Sequence, residues 1–118
     1  MNALEVLKAL ANDTRFEILR MLHARDLCVC ELEVALGLAQ SKISYHLSAL
    51  RDAQLVKVTQ DGRWSVYSLE RTTLFHLGGA VLETLSDAPD LSRVPDCRTL
   101  EGSYSQQITL MKEAVCDC

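Results

Sequence analysis

The stretch Gln40-Ser41-Lys42-Ile43-Ser44-Tyr45-His46-Leu47 decides the fold of this chain. Ile43, Leu47 and Leu50 fall within about 60° of one another on a helical wheel of 100° per residue, so they form one apolar face. Gly37, in front of this stretch, predicts the end of an earlier helix, and the next three residues predict a tight turn. A helix, a short turn and a second helix with a polar outer face are typical of the helix-turn-helix motif that binds double-stranded DNA.

The polar side of the predicted second helix supplies the candidate DNA contacts. Short hydroxyls, a tyrosine and a lysine suit base edges and phosphates in a major groove. His46 lies nearer the core edge of the wheel and is still included among the candidates. We expect contacts from Gln40, Ser41, Lys42, Ser44, Tyr45, His46 and Ser48. The alternative is an ordinary amphipathic helix whose polar side faces water.

Periodicity and turn residues predict the surrounding elements. Ahead of the motif we expect a helix at 3–10, a second helix opened by a capping box from Thr14 to Glu17, and a third at about 30–36. After it, 55–60 and 63–69 predict two strands joined by Asp61-Gly62, with Arg63 beside the tip and near a minor groove or a phosphate. A last helix, capped by Thr72 or Thr73 and running to 85, contains Gly78-Gly79, and we interpret it as a dimer helix. The fold class is therefore mainly α with a β-hairpin wing, a dimeric winged helix-turn-helix.

Length and composition limit the class of protein. With 118 residues and five cysteines, the chain predicts one small domain at 1–87, a tail at 88–118, and thiols in a reducing compartment. No leader or membrane span is expected, so we predict a cytoplasmic protein without a membrane partner. The net charge is −4, but residues 41–71 hold five basic against three acidic side chains, which favours DNA binding of modest affinity. No grouping of catalytic residues is evident, and we expect no enzyme.

Two thiols one residue apart are the chemically distinctive feature. Cys28 and Cys30 lie at the predicted start of the third helix, where the helix dipole should lower a thiol pKa, and thiolates select soft ions. Residues i and i+2 are about 200° apart around a helix, so joint binding of one ion would have to unwind or distort that turn. The alternative is that both are small core residues. Cys116 and Cys118 repeat the spacing at the other end, as a second soft-ion site or an unimportant tail.

The combination of motifs resembles the ArsR/SmtB family of winged-helix repressors, especially its arsenic-responsive members, over roughly residues 9–85. The resemblance is carried by Leu10-Ala11-Asn12-Asp13-Thr14-Arg15, Cys28-Val29-Cys30-Glu31-Leu32, Ser41 to Leu47 and Asp61-Gly62-Arg63-Trp64. It implies a homodimer that occupies operator DNA and leaves when trivalent arsenic (arsenite) or antimony (antimonite) binds the thiols. No organic cofactor is implied.

One position departs from the pattern of arsenic-responsive members. A third cysteine often lies three residues after the second, and Glu33 stands there. A three-thiolate site would then need Cys97, Cys116 or Cys118, from the same or the partner subunit; otherwise two thiols work with a weaker third ligand.

Other functions stay open at this point. Zinc sensing on the last helix has only His76 and Glu83, too few ligands for tetrahedral closure. A repressor of the same fold could respond to thiol oxidation, although a CxC disulfide is strained. A winged-helix module for protein interaction or metal carriage, without DNA binding, is the third alternative.

Overall fold

A computed structural model describes residues 2–87 and 89–95 of the chain. This part contains five helices and three strands, in the order α1, α2, β1, α3, α4, β2, β3, α5. The helices are α1 Ala3–Leu10, α2 Asp13–Ala24, α3 Val29–Leu36, α4 Gln40–Asp52 and α5 Arg71–Ser86, and the strands are β1 Leu27–Cys28, β2 Val56–Asp61 and β3 Trp64–Leu69. The predicted class, mainly α with a β-hairpin, is confirmed.

Asparagine side chains begin the first two helices. Asn2 Oδ1 accepts from the backbone N–H of Glu5 at 3.3 Å, and Asn12 Oδ1 accepts from that of Arg15 at 3.0 Å. The predicted capping box at Thr14 is therefore wrong, because Asn12 is extended at the start of α2 and already covers the free N–H group.

The helix-turn-helix forms as predicted. Helix α3 ends at Leu36, and Gly37 (φ 65°) takes the left-handed conformation while its N–H donates to Glu33 O at 2.8 Å. Ile43, Leu47 and Leu50 of α4 are fully buried, as the wheel requires. They belong to one hydrophobic core, to which the other helices and the start of the hairpin also contribute. This core includes Val6, Ile18, Leu22, Leu32 and Leu55.

The strands form an antiparallel sheet in the order β1-β3-β2. Strands β2 and β3 are the predicted hairpin, but Asp61 pairs with Trp64, so the turn is Gly62-Arg63 and lies one residue later than predicted. Gly62 has φ 61°, the left-handed conformation that its missing side chain allows. The two-residue strand β1 was not predicted; its Cys28 pairs with Val66 in the middle of β3.

Helix α5 begins at Arg71, one or two residues ahead of the predicted threonine cap. Thr73 is instead buried within the first turn, and its hydroxyl donates to Gln54 O at 2.6 Å. α5 contacts α1. Apart from the neighbouring residues and backbone of α5 itself, no described atom lies within 4 Å of the position that a side chain on Gly78 or Gly79 would take, so no described element packs closely against these glycines.

The chain divides into two units after Asp87. In the second unit, residues 89–95 form a turn in which the Val94 N–H donates to Leu91 O at 2.9 Å. The rest of the tail expected at 88–118 lies outside the described residues. Within the described ranges, no helix combines the length and the apolar character needed to cross a membrane.

Candidate metal centre and nucleic-acid interface

The two thiols lie where β1 passes into α3. Cys28 is extended (φ −91°, ψ 168°) and precedes the first helical residue, whereas Cys30 belongs to the first turn of α3. Their Sγ atoms are 2.9 Å apart. The premise that both thiols lie on one helix is therefore wrong, because only Cys30 is helical, and the two sulfurs already converge.

A carboxylate fixes this junction. Glu31 Oε1 accepts from the Cys28 backbone N–H at 3.0 Å, and its Oε2 accepts from Arg25 Nη2 at 2.7 Å. The Cys28 N–H and then the Arg25 guanidinium lower the pKa of Glu31 to about 2. Glu31 thus keeps its charge at any physiological pH.

The neighbouring sulfur also affects the protonation of Cys28. The pKa of the Cys28 thiol is raised, first because it shares a hydrogen bond with Cys30 and second because of partial burial; the Glu31 backbone N–H opposes both. The expected lowering of the Cys28 pKa by the helix start is thus wrong, because a neighbouring sulfur at contact distance outweighs it. Cys30 is exposed and Cys28 half-buried, so neither is a core residue.

A cleft of about 280 Å³ connects the thiols with the predicted DNA-contacting elements. Besides Cys28 and Cys30 it is lined by Gln40, the first residue of α4, and by Arg63 and Trp64 at the end of the hairpin; Val29, Glu33 and Ser65 complete it. A second cleft of about 280 Å³ is lined by Cys28, Cys30, Glu31, Asp61, Trp64 and Val66. Both thiols and Trp64 border both clefts.

The structure brings together only part of the predicted ligand set. Cys97, Cys116 and Cys118 lie outside the described residues. Among residues 2–87 and 89–95, no group of three or more His, Cys, Asp or Glu side chains has the geometry to hold a metal ion. Glu33 lines the first cleft, yet it forms no such group with the thiols.

Most predicted DNA-contacting side chains share an exposed surface. Gln40, Ser41, Lys42, Ser44, Tyr45 and Ser48 of α4 are all exposed, and so is Arg63 in the hairpin turn. His46 is the exception, since it is only 6% exposed and its Nδ1 accepts from Arg15 Nε at 3.2 Å. It faces the core side of α4, so its position does not support a contact with DNA.

Three residues near the site were missed at the sequence level. Arg15 holds His46 and places its guanidinium 5.8 Å from the Tyr45 ring centroid. Glu31 could have been found, because an acid three residues after a helix-capping position is a known signal. Nothing in the sequence spacing of Trp64 shows that it borders the thiols.

A helix-turn-helix followed by a β-hairpin defines the winged helix-turn-helix class of DNA-binding domains. The family model described as bacterial regulatory protein, arsR family, matches residues 12–58, which hold both helices of the motif and the start of β2. The chain is also 43% identical over 86 residues to a putative arsenical resistance operon repressor of Halobacterium salinarum, covering 71% of this chain and 68% of that one. It belongs to the arsR family of bacterial transcriptional regulators.

Two further comparisons agree with this assignment. The arsenical resistance operon repressor of Bacillus subtilis is 46% identical over 63 residues, which are 52% of this chain and 60% of that relative. The solution structure of a homodimeric winged helix-turn-helix DNA-binding domain from Mycobacterium bovis, a possible ArsR-family regulator, superposes with a TM-score of 0.60 at 26% identity. That match covers 73% of this chain and 79% of the other. A family of transcriptional regulators fits a role without catalysis.

Proposed function

We propose that this chain is a metalloid-responsive transcriptional repressor. As a homodimer it binds double-stranded operator DNA, and it is released when trivalent arsenic, or antimony, binds the thiolates of Cys28 and Cys30. The observation that carries the proposal is the position of these sulfurs, 2.9 Å apart in a cleft also lined by Gln40 and Arg63. Such a regulator works in the cytoplasm, where its operator is.

The DNA-binding part rests on the exposed polar face of α4 and on Arg63. The face offers hydroxyl, amide and ammonium groups for base edges and phosphates, and the hairpin turn offers a guanidinium. The arsenical part rests on soft-ligand chemistry, since paired thiolates prefer thiophilic ions over hard ones. Two relatives that carry the name arsenical resistance operon repressor support the same inducer class.

The homodimer rests on an apolar surface shared by α1 and α5. Phe75 is 83% exposed and Leu82 70% exposed, and Leu4 and Leu85 are also largely exposed. Gly78 and Gly79 leave open space along the same helix. A second copy would bury these side chains, and close approach at the glycines would explain two residues of poor helix propensity.

Release follows from the two elements to which the sulfurs belong. Two sulfurs on one ion at about 2.3 Å each, the length of a zinc–thiolate bond, lie about 3.3 to 3.8 Å apart. The pair must then open by less than about 1 Å, which moves β1 relative to α3. Cys28 is paired with the wing strand, and α3 contacts α4, so both DNA-contacting elements shift. A coupling of about 1–3 kcal/mol would weaken DNA binding about 5- to 150-fold.

A third ligand remains part of the proposal. Cys97, Cys116 or Cys118, from the same or the partner subunit, would complete a three-sulfur site. Otherwise the two thiols act with a weaker third ligand, such as water.

The test is a titration of arsenite into the protein bound to its own upstream DNA, with free thiols counted in parallel. We expect wild-type protein to release DNA and to lose two or three thiols per subunit. Cys28→Ser and Cys30→Ser should bind DNA normally and ignore arsenite. The same titration of Cys97→Ser, Cys116→Ser and Cys118→Ser identifies a third sulfur ligand, because only the variant that lacks it should respond more weakly. Unchanged release in both Cys28→Ser and Cys30→Ser would overturn the proposal.

A thiol-oxidation sensor is the second candidate, and the 2.9 Å approach of the sulfurs favours it. A peroxide would take two electrons from the pair and form a Cys28–Cys30 disulfide and water. The raised pKa of Cys28 counts against a fast reaction, because the thiolate is the nucleophile. Release of DNA by peroxide, reversed by a reductant and absent with arsenite, would select this candidate. The third alternative is a module that carries metal and does not bind DNA. Specific DNA binding falls steeply as the salt concentration rises, so failure to detect any such salt-dependent binding would favour this module.

A further inference from the structure

The thiol pair accounts for two of the three bonds that trivalent arsenic forms. Among the described residues no third ligand joins Cys28 and Cys30. Whatever occupies the third bond must therefore come from elsewhere, as a sulfur of the tail, a hydroxide, or a group that the inducer itself carries. The residues around the thiol pair help to choose among these three possible substituents.

Trp64 lines both of the clefts that the thiol pair lines. Two clefts of about 280 Å³ each meet at the thiols, and Cys28, Cys30 and Trp64 are lining residues of both. A substituent on a bound ion would thus have the indole beside it whichever cleft it entered. A cavity of about 150 Å³ is large enough to hold benzene, so either cleft has room for one aromatic ring. Trp64 is 54% exposed, and this leaves much of its surface free to pack against a guest.

We propose, building on the proposed function, that the preferred inducer is a trivalent arsenical carrying one flat hydrocarbon group, and that Trp64 determines this specificity. The two thiols react with R–As(OH)₂: two As–O bonds break, two As–S bonds form, and the thiol protons leave with the hydroxides as two waters. Arsenic stays trivalent and keeps its bond to carbon. The ring R lies against the Trp64 indole, where aromatic packing favours it over a methyl group.

Removing the indole should lower the affinity for a phenyl arsenical and not for a methyl arsenical. Aromatic pairs contribute about 2- to 12-fold in affinity beyond simple contact area. Trp64→Ala should therefore weaken binding of a phenyl arsenical about 3- to 10-fold and leave a methyl arsenical within about 2-fold. Trp64→Phe keeps an aromatic ring at the position and should restore most of the difference.

The experiment uses the full chain with Cys97, Cys116 and Cys118 changed to serine, so that only two of its five cysteines remain. Phenylarsine oxide and methylarsonous acid are titrated against a thiol-reactive dye, which gives apparent affinities without needing tryptophan fluorescence. Phe16→Ala is the matched control, because Phe16 is 55% exposed on α2 and lines neither cleft.

The outcomes separate this inference from the proposed function. A phenyl-to-methyl preference that falls in Trp64→Ala but not in Phe16→Ala supports it, and an equal preference in all variants overturns it. DNA release by arsenite is measured on the protein with all its cysteines. If arsenite releases DNA but the preference does not depend on Trp64, this inference alone fails. If no arsenical releases DNA, the proposed function fails.

Discussion

The contact between Arg15 and His46 allows a quantitative test of how α4 is held. Arg15 Nε donates to the buried His46 Nδ1 at 3.2 Å and joins α2 to α4. The same guanidinium lies 5.8 Å from the Tyr45 ring centroid. Tyr45 is one of the exposed candidates for DNA contact, so this contact also bears on a side chain of the proposed DNA-binding face.

Replacing Arg15 by Met removes the donor and the cation but keeps an unbranched side chain. A hydrogen bond with one charged partner contributes about 1.5–3 kcal/mol, and an exposed cation–π contact about 0.5–1 kcal/mol. Because Arg15 is half-buried, we take the lower end and expect a loss of about 1.5 kcal/mol in the free energy of unfolding. For a domain of this size, that lowers Tm by about 6–12 °C.

The pH dependence of stability gives the sign of the effect. Burial, and then the charges of Arg15 and Lys42, lower the pKa of His46 below its ordinary 6.5. The unfolded chain therefore binds a proton at His46 more readily than the folded chain does. The contribution of neutral His46 to the free energy of unfolding is fully present above pH 6.5. Stability is lost as the pH falls through 6.5 towards the lower folded-state pKa, where a protonated Nδ1 could no longer accept from Arg15.

A double-mutant cycle isolates the pair. Wild type, Arg15→Met, His46→Leu and the double variant are unfolded with urea at pH 7.5 and pH 5, followed by circular dichroism at one protein concentration. We expect a coupling energy of about 1–1.5 kcal/mol at pH 7.5, and a smaller loss of stability between the two pH values in His46→Leu than in wild type. Additivity within about 0.3 kcal/mol, or identical pH profiles, would refute the reasoning.

Three further predictions concern the core, the wing and the proposed dimer surface. Leu47→Ala, at a fully buried position of α4, should cost about 2–5 kcal/mol in urea unfolding; a cost below about 1 kcal/mol would contradict the buried face. Gly62→Val, at φ 61° in the hairpin turn, should cost at least about 1 kcal/mol, and equal stability in thermal unfolding would exclude this turn conformation. Changing both Phe75 and Leu82 to Glu should leave a folded monomer in analytical ultracentrifugation, whereas a persistent dimer would place the interface elsewhere.

The sequence predicted the elements that have strong local signals. Helix α1 has the predicted bounds, Gly37 ends α3, and the buried face of α4 is the one that the wheel gives. These features depend on spacing and on single residues with special backbone preferences. The capping residue of α2 was harder to predict. Asn12 and Thr14 both have suitable side chains, and the choice between them depends on how the folded chain packs.

The geometry of the thiol pair could not be predicted in this way. Strand β1 has two residues, too few for any alternation, and it exists because β3 offers it an edge. That pairing makes Cys28 extended, and the extended conformation is what brings its sulfur to Cys30. The same tertiary contact places Trp64 beside both thiols. A local reading of Cys28-Val29-Cys30 therefore gave the wrong backbone conformation at Cys28 and the wrong direction of the Cys28 pKa shift.

The position of the pair favours a short route for the proposed release of DNA. One sulfur belongs to the strand paired with the wing, and the other to the helix that contacts α4. An ion bonded to both fixes the distance between those elements, so strain need not cross the core. Glu31 holds the junction in the free protein through Cys28 N–H, and Arg25 holds Glu31. A movement of less than about 1 Å at the sulfurs therefore acts on a junction that is already constrained. Because packed elements switch between discrete arrangements, such a small shift can change the affinity for DNA.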